Sequence, residues 1–251
     1  MVIANEPFGK VQTDLEALGD LRDTMNWKRM LWKASALVGF VVGLYILASL
    51  FHPPLLMFPH MRMVGATPVF SESPIPDQIE GVIGRADTLV QTSPLFIPDV
   101  LDRPVYLTNG GFRWRLLTLG STALAISRPA VETIVINRSN VRTDQVWNSV
   151  DSYPARDLSG VIAHERTHAL IRQRFGFLGS RLYPTWVVEG YCDHVSGSGA
   201  MSDETAAELI AQGRRTPGLY YYESRKRVEM ELEANGGSVD ELFSSSLDRT
   251  G

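Results

Sequence analysis

The feature that most constrains the fold of this chain is an uninterrupted apolar run near its N-terminus. Residues 34–51 read ASALVGFVVGLYILASLF and contain no charged side chain. Counted from Leu31, the run reaches about 20 residues, the length that an α-helix needs to cross a bilayer at about 1.5 Å per residue. The run therefore predicts a transmembrane helix over residues 31–52 that ends before Pro53 and Pro54.

Two other interpretations of the apolar run stay open. One is a buried core helix, although such helices seldom continue this far without a polar residue. The other is a cleaved signal peptide. Two features argue against a signal peptide. A long segment precedes the apolar run, and the run ends in the sequence SLFHPP, which contains no clean small-x-small cleavage site. An uncleaved signal anchor fits these features better.

The basic residues around the run predict its orientation. Arg22, Lys28, Arg29 and Lys33 lie just before it, and Arg62 lies just after it. Cytoplasmic flanks carry the excess of basic residues. We therefore expect residues 1–30 to be a cytoplasmic tail and everything after about residue 53 to lie on the other side of the membrane, in a periplasmic or extracellular space.

Beyond the run, composition divides the chain further. Five prolines between residues 53 and 75 predict an extended linker, and residues 76–251 are expected to form one folded domain. The single cysteine, Cys192, excludes an intramolecular disulfide bond. The net charge of -4 gives no reason to expect a nucleic acid as a partner.

Periodicity within residues 76–251 predicts an α+β domain with a small β-sheet and a group of helices. Helical spacing is found at 77–90, and short strands are predicted at 104–109, 123–127 and 133–137. Helices are predicted at 158–175 with Asp157 or Ser159 as the cap, from Pro184, from Ser202, at 223–234, and after a Ser238–Glu241 capping box. The stretch 110–121, GGFRWRLLTLGS, has no clear periodicity.

The predicted helix 158–175 contains the sequence HERTH, with His164 and His168 four residues apart. Both imidazoles then project from one face and can meet a single ion, and zinc binds imidazole nitrogen readily. Glu165 lies about 100° around the helix from His164, where a general base can reach a water at the ion. The alternative is an exposed helix face with two ordinary histidines, but the apolar flanks VIA and AL place the helix in a core.

A catalytic zinc ion needs a third protein ligand and an open position for water. Glu189 follows His168 after a glycine-marked turn, on the next predicted helix, and offers that ligand. Asp193 lies one turn further on the same face. Its carboxylate can accept the free ring N–H of a ligating histidine and so fix the tautomer of that histidine.

The pattern HERTH followed by E-x-x-x-D resembles the gluzincin superfamily of zinc metallopeptidases, over about residues 157–195. The run WVVEG at 186–190 is similar to the W-x-x-E-G run common in that superfamily. The resemblance implies a zincin-like domain with one Zn²⁺ per chain, in which an edge strand pairs with an extended substrate. The strand TIVIN, residues 133–137, is the candidate because it lies nearest in sequence to the HERTH helix.

By the same resemblance, each site residue has a role. The zinc ligands are His164, His168 and Glu189, Glu165 activates the water, and Asp193 orients a ligand histidine. His194 is expected not to be a ligand, and Cys192 to be a small buried apolar group. An oxyanion donor is also needed, and the cluster YYYESR, residues 220–225, offers tyrosines and an arginine for this role or for core packing.

The sequence thus predicts a membrane-anchored zinc metallopeptidase that acts on a peptide or protein. Two rival hypotheses belong to other classes. One is a binding module with a structural or inactive metal site, which four protein ligands on the metal would support. The other is an anchored scaffold that works through its cytoplasmic tail.

Overall fold

The computed structural model describes residues 8–148, 156–197 and 201–248. The chain divides into two compact units, Met1–Leu55 and Leu56–Gly251. Within the first unit, one helix, α1 (Phe8–Phe51), is continuous and ends before Pro53 as expected. Its segment Trp27–Phe51 is long and apolar enough to cross a membrane, a property that a signal sequence shares.

The prediction of an extended linker over residues 53–75 is wrong for most of its length. His60–Val64 (β1) and Thr67–Ser71 (β2) form an antiparallel hairpin around Gly65, whose φ of +58° suits the turn. Val69 is fully buried in the core of the second unit. Burial of one face of β2 therefore outweighs the proline content, and the second unit starts near Leu56 rather than at residue 76.

Three further strands complete the main sheet. They are β3 (Val105–Leu107), β4 (Ala125–Arg128) and β5 (Thr133–Ile136), and the strand order is β1-β2-β3-β5-β4. All three lie where strands were predicted. β5 pairs with β3 on one side and with β4 on the other, so the expectation that TIVIN forms the edge strand is wrong. β4, antiparallel to β5, is the strand at that edge.

The remaining elements comprise a small second sheet and the helices. The second sheet contains β6 (Arg138–Asn140), β7 (Gln145–Trp147) and β8 (Arg156–Asp157). The helices are α2 (Ile79–Gln91), α3 (Phe112–Thr118), α4 (Leu158–Phe175), α5 (Gly179–Leu182), α6 (Thr185–Ser196), α7 (Asp203–Ala211), α8 (Pro217–Ala234) and α9 (Val239–Asp248). α3 occupies the stretch without clear periodicity, and α8 begins six residues earlier than predicted because Thr216 caps it. The second unit is thus a mixed α and β domain.

The helix α4 contributes to three apolar cores. Its first half packs with α2 and one face of the main sheet, and Ile171 near its end packs with α6, α8 and α9. The N-terminus of α4 is capped by Asp144, whose Oδ1 accepts the Ser159 N–H at 2.8 Å and whose Oδ2 lies 2.6 Å from Ser159 Oγ. Asp157 occupies the cap position as predicted but makes no side-chain cap bond.

Candidate metal centre

Two histidines of α4 lie side by side at the centre of the candidate site. The ring centroids of His164 and His168 are 4.9 Å apart, as their i, i+4 spacing requires. His164 is buried, and the His168 side chain is one-fifth exposed. The helix that was expected to lie in a core does so, and its buried face carries both rings.

Glu189 of α6 approaches both histidines. Its Oε2 lies 3.2 Å from His164 Nε2 and 3.7 Å from His168 Nε2. In a tetrahedral zinc site with bonds of about 2.0–2.2 Å, neighbouring donor atoms are about 3.3–3.6 Å apart. Both distances from Glu189 are therefore close to those between donors of a zinc site, and the nitrogen and carboxylate donors suit zinc.

Asp193 contacts His164 from the side away from Glu189. Its Oδ1 lies 2.8 Å from His164 Nδ1 and also accepts a hydrogen bond from Arg156 Nη2 at 2.9 Å. With Nδ1 engaged in this way, His164 presents Nε2 toward Glu189. Arg156, on β8 just before α4, is a member of the site that no pattern in the sequence indicated.

The charges of the site are strongly coupled. Burial opposes protonation of His164, but hydrogen bonds with Asp193 and Glu189 outweigh it and raise the pKa of His164 to about 10. Burial lowers the pKa of His168. Burial would raise the pKa values of Glu189 and Asp193, but the hydrogen bond with His164 and nearby cationic groups lower both. Both carboxylates are therefore ionised at neutral pH.

Glu165 lies between the two histidines in sequence and is buried beside the edge strand. Its Oε2 accepts a hydrogen bond from the backbone N–H of Ser127 in β4 at 2.6 Å. Arg172, one turn beyond His168, donates from Nη2 to Ser127 Oγ at 2.9 Å. The contact with Glu165 uses backbone atoms, so no side-chain pattern in the sequence could have predicted it.

Cys192 supplies a second set of possible metal donors. One ligand atom each from His164, His168 and Cys192 lies within 4.8 Å of the others, a cluster that could hold a metal ion. The thiol is fully buried in the apolar core that α6 shares with α8 and α9, and burial raises the pKa of the thiol. It packs as the small apolar group that the sequence predicted, although it is also close enough to be a donor.

A cavity of about 470 Å³ opens beside these residues. His164, Glu165 and Asp193 form part of its wall, and α8 contributes Tyr221. Apolar side chains of α4, β4, α7 and the segments just before β4 and α7 line it further, namely Val161, Ala125, Leu209, Leu124 and Met201. The cavity has room for a substrate side chain next to the predicted catalytic glutamate.

The structure thus brings His164, Glu165, His168, Glu189 and Asp193 close together, and His164, Glu165 and Asp193 line one cavity. His194 lies instead against Glu229, with 4.0 Å between Nδ1 and Oε1, away from the cluster as expected. Comparison of the chain with protein-family profiles, curated proteins and solved structures found no match.

Proposed function

We propose that the chain is a membrane-anchored zinc metallopeptidase of the gluzincin type. The observation that carries the proposal is the approach of Glu189 Oε2 to within 3.2 and 3.7 Å of the two HERTH histidine Nε2 atoms. Glu189 lies 21 positions after His168 in the sequence, so this meeting depends on the packing of α6 on α4. The donors of a three-ligand site then lie together, and one of them, His164, lines the same cavity as the carboxylate base Glu165.

His164, His168 and Glu189 would hold the metal, and Asp193 would keep the His164 ring oriented. Bound zinc would supply Lewis acidity toward the scissile carbonyl and would acidify a water. Glu165 takes a proton from the attacking water as the oxygen adds to the carbonyl carbon. The same carboxyl group then gives the proton to the leaving nitrogen as the C–N bond breaks.

The free edge of β4 would bind the substrate backbone. β4 pairs with β5 on one side only among the described residues, and its other edge faces Glu165 through the Ser127 N–H. An extended peptide can add to such an edge by main-chain hydrogen bonds. This arrangement would place the scissile bond of the substrate beside Glu165. β4, rather than TIVIN, would then be the strand that pairs with the substrate.

The helix Trp27–Phe51 would anchor the enzyme. The excess of basic residues before it favours a cytoplasmic N-terminus and a periplasmic or extracellular catalytic domain. The substrate would then be a peptide or protein outside the cytoplasm.

Metal binding is tested on the full-length chain in detergent. We expect about one zinc per chain by elemental analysis, lost in His168→Ala and kept in the control His194→Ala. Glu165→Gln should keep the zinc and lower peptide cleavage by about 10²–10⁴-fold. A wild-type chain that fails to bind added zinc, or a Glu165→Gln variant that still cleaves, would contradict the proposal.

Cys192 favours one rival, a binding module with a closed metal site. Four protein ligands, including the thiolate, would leave no position for a catalytic water. The absorption spectrum of the cobalt-substituted protein distinguishes this closed metal site from the open site of a peptidase. A thiolate-to-cobalt charge-transfer band that disappears in Cys192→Ala would support the closed site. We expect no such band and an unchanged metal content in Cys192→Ala.

A further inference from the structure

We propose that a second cleft, at the carboxyl ends of strands β2, β3 and β5, binds a saccharide that carries a carboxylate group. The cleft has a volume of about 270 Å³ and shares no lining residue with the cavity beside His164. It lies at the small end of the range for ligand pockets, so it suits a single sugar ring of a longer chain. Binding here needs neither the metal nor the peptidase activity.

The direction of the strands in the main sheet creates this cleft. β3 runs parallel to both β2 and β5, so the carboxyl ends of the three strands meet at one edge of the sheet. Ser71 ends β2, Leu107 ends β3 and Ser139 follows β5, and all three line the cleft. Ligands of open α/β sheets bind outside the carboxyl ends of parallel strands. The position of the cleft therefore marks it as a candidate binding site.

Direct contacts hold the walls of the cleft in place. Asn109, just after β3, donates from its backbone N–H to Glu72 Oε2 and from Nδ2 to Ser73 Oγ, both at 3.1 Å. Gly110 has a φ of +70°, and a Cβ atom added there would lie 2.7 Å from Arg138 Nη1. This glycine lets the segment after β3 approach the segment after β5 closely. Because the walls are fixed, little conformational entropy is lost when a ligand binds.

The strand β7 supplies an aromatic wall. Trp147 is 36% exposed and lines the cleft. Within the described ranges, its ring stacks on no other ring or cation and its indole N–H makes no hydrogen bond. A pyranose ring has an apolar face of C–H groups that can pack on an indole ring, and the indole N–H can donate to a sugar oxygen. The side chain of Trp147 thus offers both contacts to a sugar.

The polar side chains of the cleft suit hydroxyl groups. Asn140 Oδ1 accepts the backbone N–H of Arg142, which leaves its Nδ2 as a donor. Asn109 Oδ1 and Ser139 Oγ make no hydrogen bond among the residues that the structure describes. A sugar hydroxyl both donates and accepts, so amide and hydroxyl groups can bind it in either role. Donors and acceptors for a hydroxylated ligand therefore line the cleft beside Trp147.

The charge of the cleft favours an anionic ligand. Of the described residues that line it, only Arg142 is charged. Its guanidinium group is exposed and has no ion pair or hydrogen bond with any other described residue. A guanidinium group can bind a carboxylate through two parallel hydrogen bonds. Arg142 would thus select a carboxylated sugar, while Trp147 and the amide groups would select a sugar over a simple anion.

The test measures binding of a tetrasaccharide of alternating glucuronic acid and N-acetylglucosamine to the full-length chain, by calorimetry in a detergent without a sugar headgroup. We expect millimolar or tighter affinity, weaker by about 10-fold when the carboxylates are reduced to alcohols. Trp147→Ala should weaken binding by about 10-fold or more. Arg142→Gln should remove the preference for the carboxylated form. The matched control Arg115→Gln, at an exposed position on α3, should keep that preference.

Several outcomes would overturn the proposal. Arg142 is exposed, so Arg142→Gln should fold, and Trp147→Phe keeps an aromatic face and should bind more tightly than Trp147→Ala. A wild type that does not bind the tetrasaccharide, or equal affinities in all variants, would contradict the site. Equal binding of acetate or of an acidic peptide of the same charge would contradict the saccharide class. Glu165→Gln should bind the tetrasaccharide like the wild type, so failure of the peptidase function would leave this result unchanged.

Discussion

Two faces of α4 bury polar side chains in different ways. On one face, Arg166 is fully buried and forms an ion pair with Asp87 of α2, and its Nη2 also donates to Thr67 Oγ1 at 2.7 Å. On the other face, His164 and Glu165 point toward α6, β4 and a cavity. Both faces are polar. Arg166 is held by a carboxylate and a hydroxyl group, whereas His164 and Glu165 lie beside a cavity.

The difference lies in the balance of charge. Arg166 brings one cation against one carboxylate, an arrangement that neutralises itself inside the domain. The site face gathers three carboxylates, Glu165, Glu189 and Asp193, and the ion pair of Arg156 with Asp193 and the raised pKa of His164 offset their charge only in part. A buried surplus of carboxylates beside two imidazoles favours a bound cation. The first face thus stabilises the fold, and the second is suited to a metal.

The largest expected effect lies on the structural face. Arg166→Ala leaves Asp87 without its partner and opens a cavity, so the free energy of unfolding should fall by about 3–5 kcal/mol. Urea denaturation of the full-length chain in detergent measures this loss. Arg174→Ala is the control, because Arg174 pairs with Asp240 at the surface and its removal should leave the midpoint nearly unchanged. Equal effects of the two substitutions would show that the buried pair is not structural.

A smaller loss is expected where α6 meets α8. Gly190→Ala introduces a methyl group against the Ser224 backbone, which should cost about 1–3 kcal/mol of stability and displace α8 from the site. Gly84→Ala on α2 is the matched control, since nothing lies within 4 Å of its added Cβ. There alanine should stabilise the helix by about 0.5–1 kcal/mol. Thermal unfolding of both variants distinguishes the two environments.

On the site face, Asp193→Asn should weaken metal binding while the fold is kept. The loss of the negative charge on the His164 Nδ1 partner should reduce zinc affinity by about 10-fold or more. Competition against a chelator of known affinity measures the change. Asp203→Asn, at an exposed position on α7, should retain the wild-type affinity; a matching loss there would point to a general charge effect.

The smallest effect concerns the start of α4, which both faces share. Asp144→Ala removes the acceptor for the Ser159 N–H and should cost about 1 kcal/mol. Asp157→Ala, at the cap position that the sequence indicated, should cost less because its side chain makes no cap bond. A larger loss in Asp157→Ala, measured by denaturation, would reverse this assignment of the cap.

Local patterns predicted the elements of this fold better than their assembly. The i, i+4 spacing of His164 and His168 fixes one helical face whatever surrounds it. The strands β3, β4 and β5 were found from short apolar runs bounded by turn residues. The order of these strands in the sheet was not predicted, because strand pairing depends on contacts between distant segments. β5 was expected at the edge and lies between β3 and β4.

The sequence by itself determined an N-terminal helix of membrane-spanning length and a helix that presents two histidines together, because both follow from backbone geometry over neighbouring residues. Only the tertiary structure decided that Glu189 meets those histidines, that Ser127 contacts Glu165, and that Tyr221 borders the cavity. These contacts join segments that are far apart in the chain. Their geometry depends on how α4, α6, α8 and β4 pack, which no local pattern encodes.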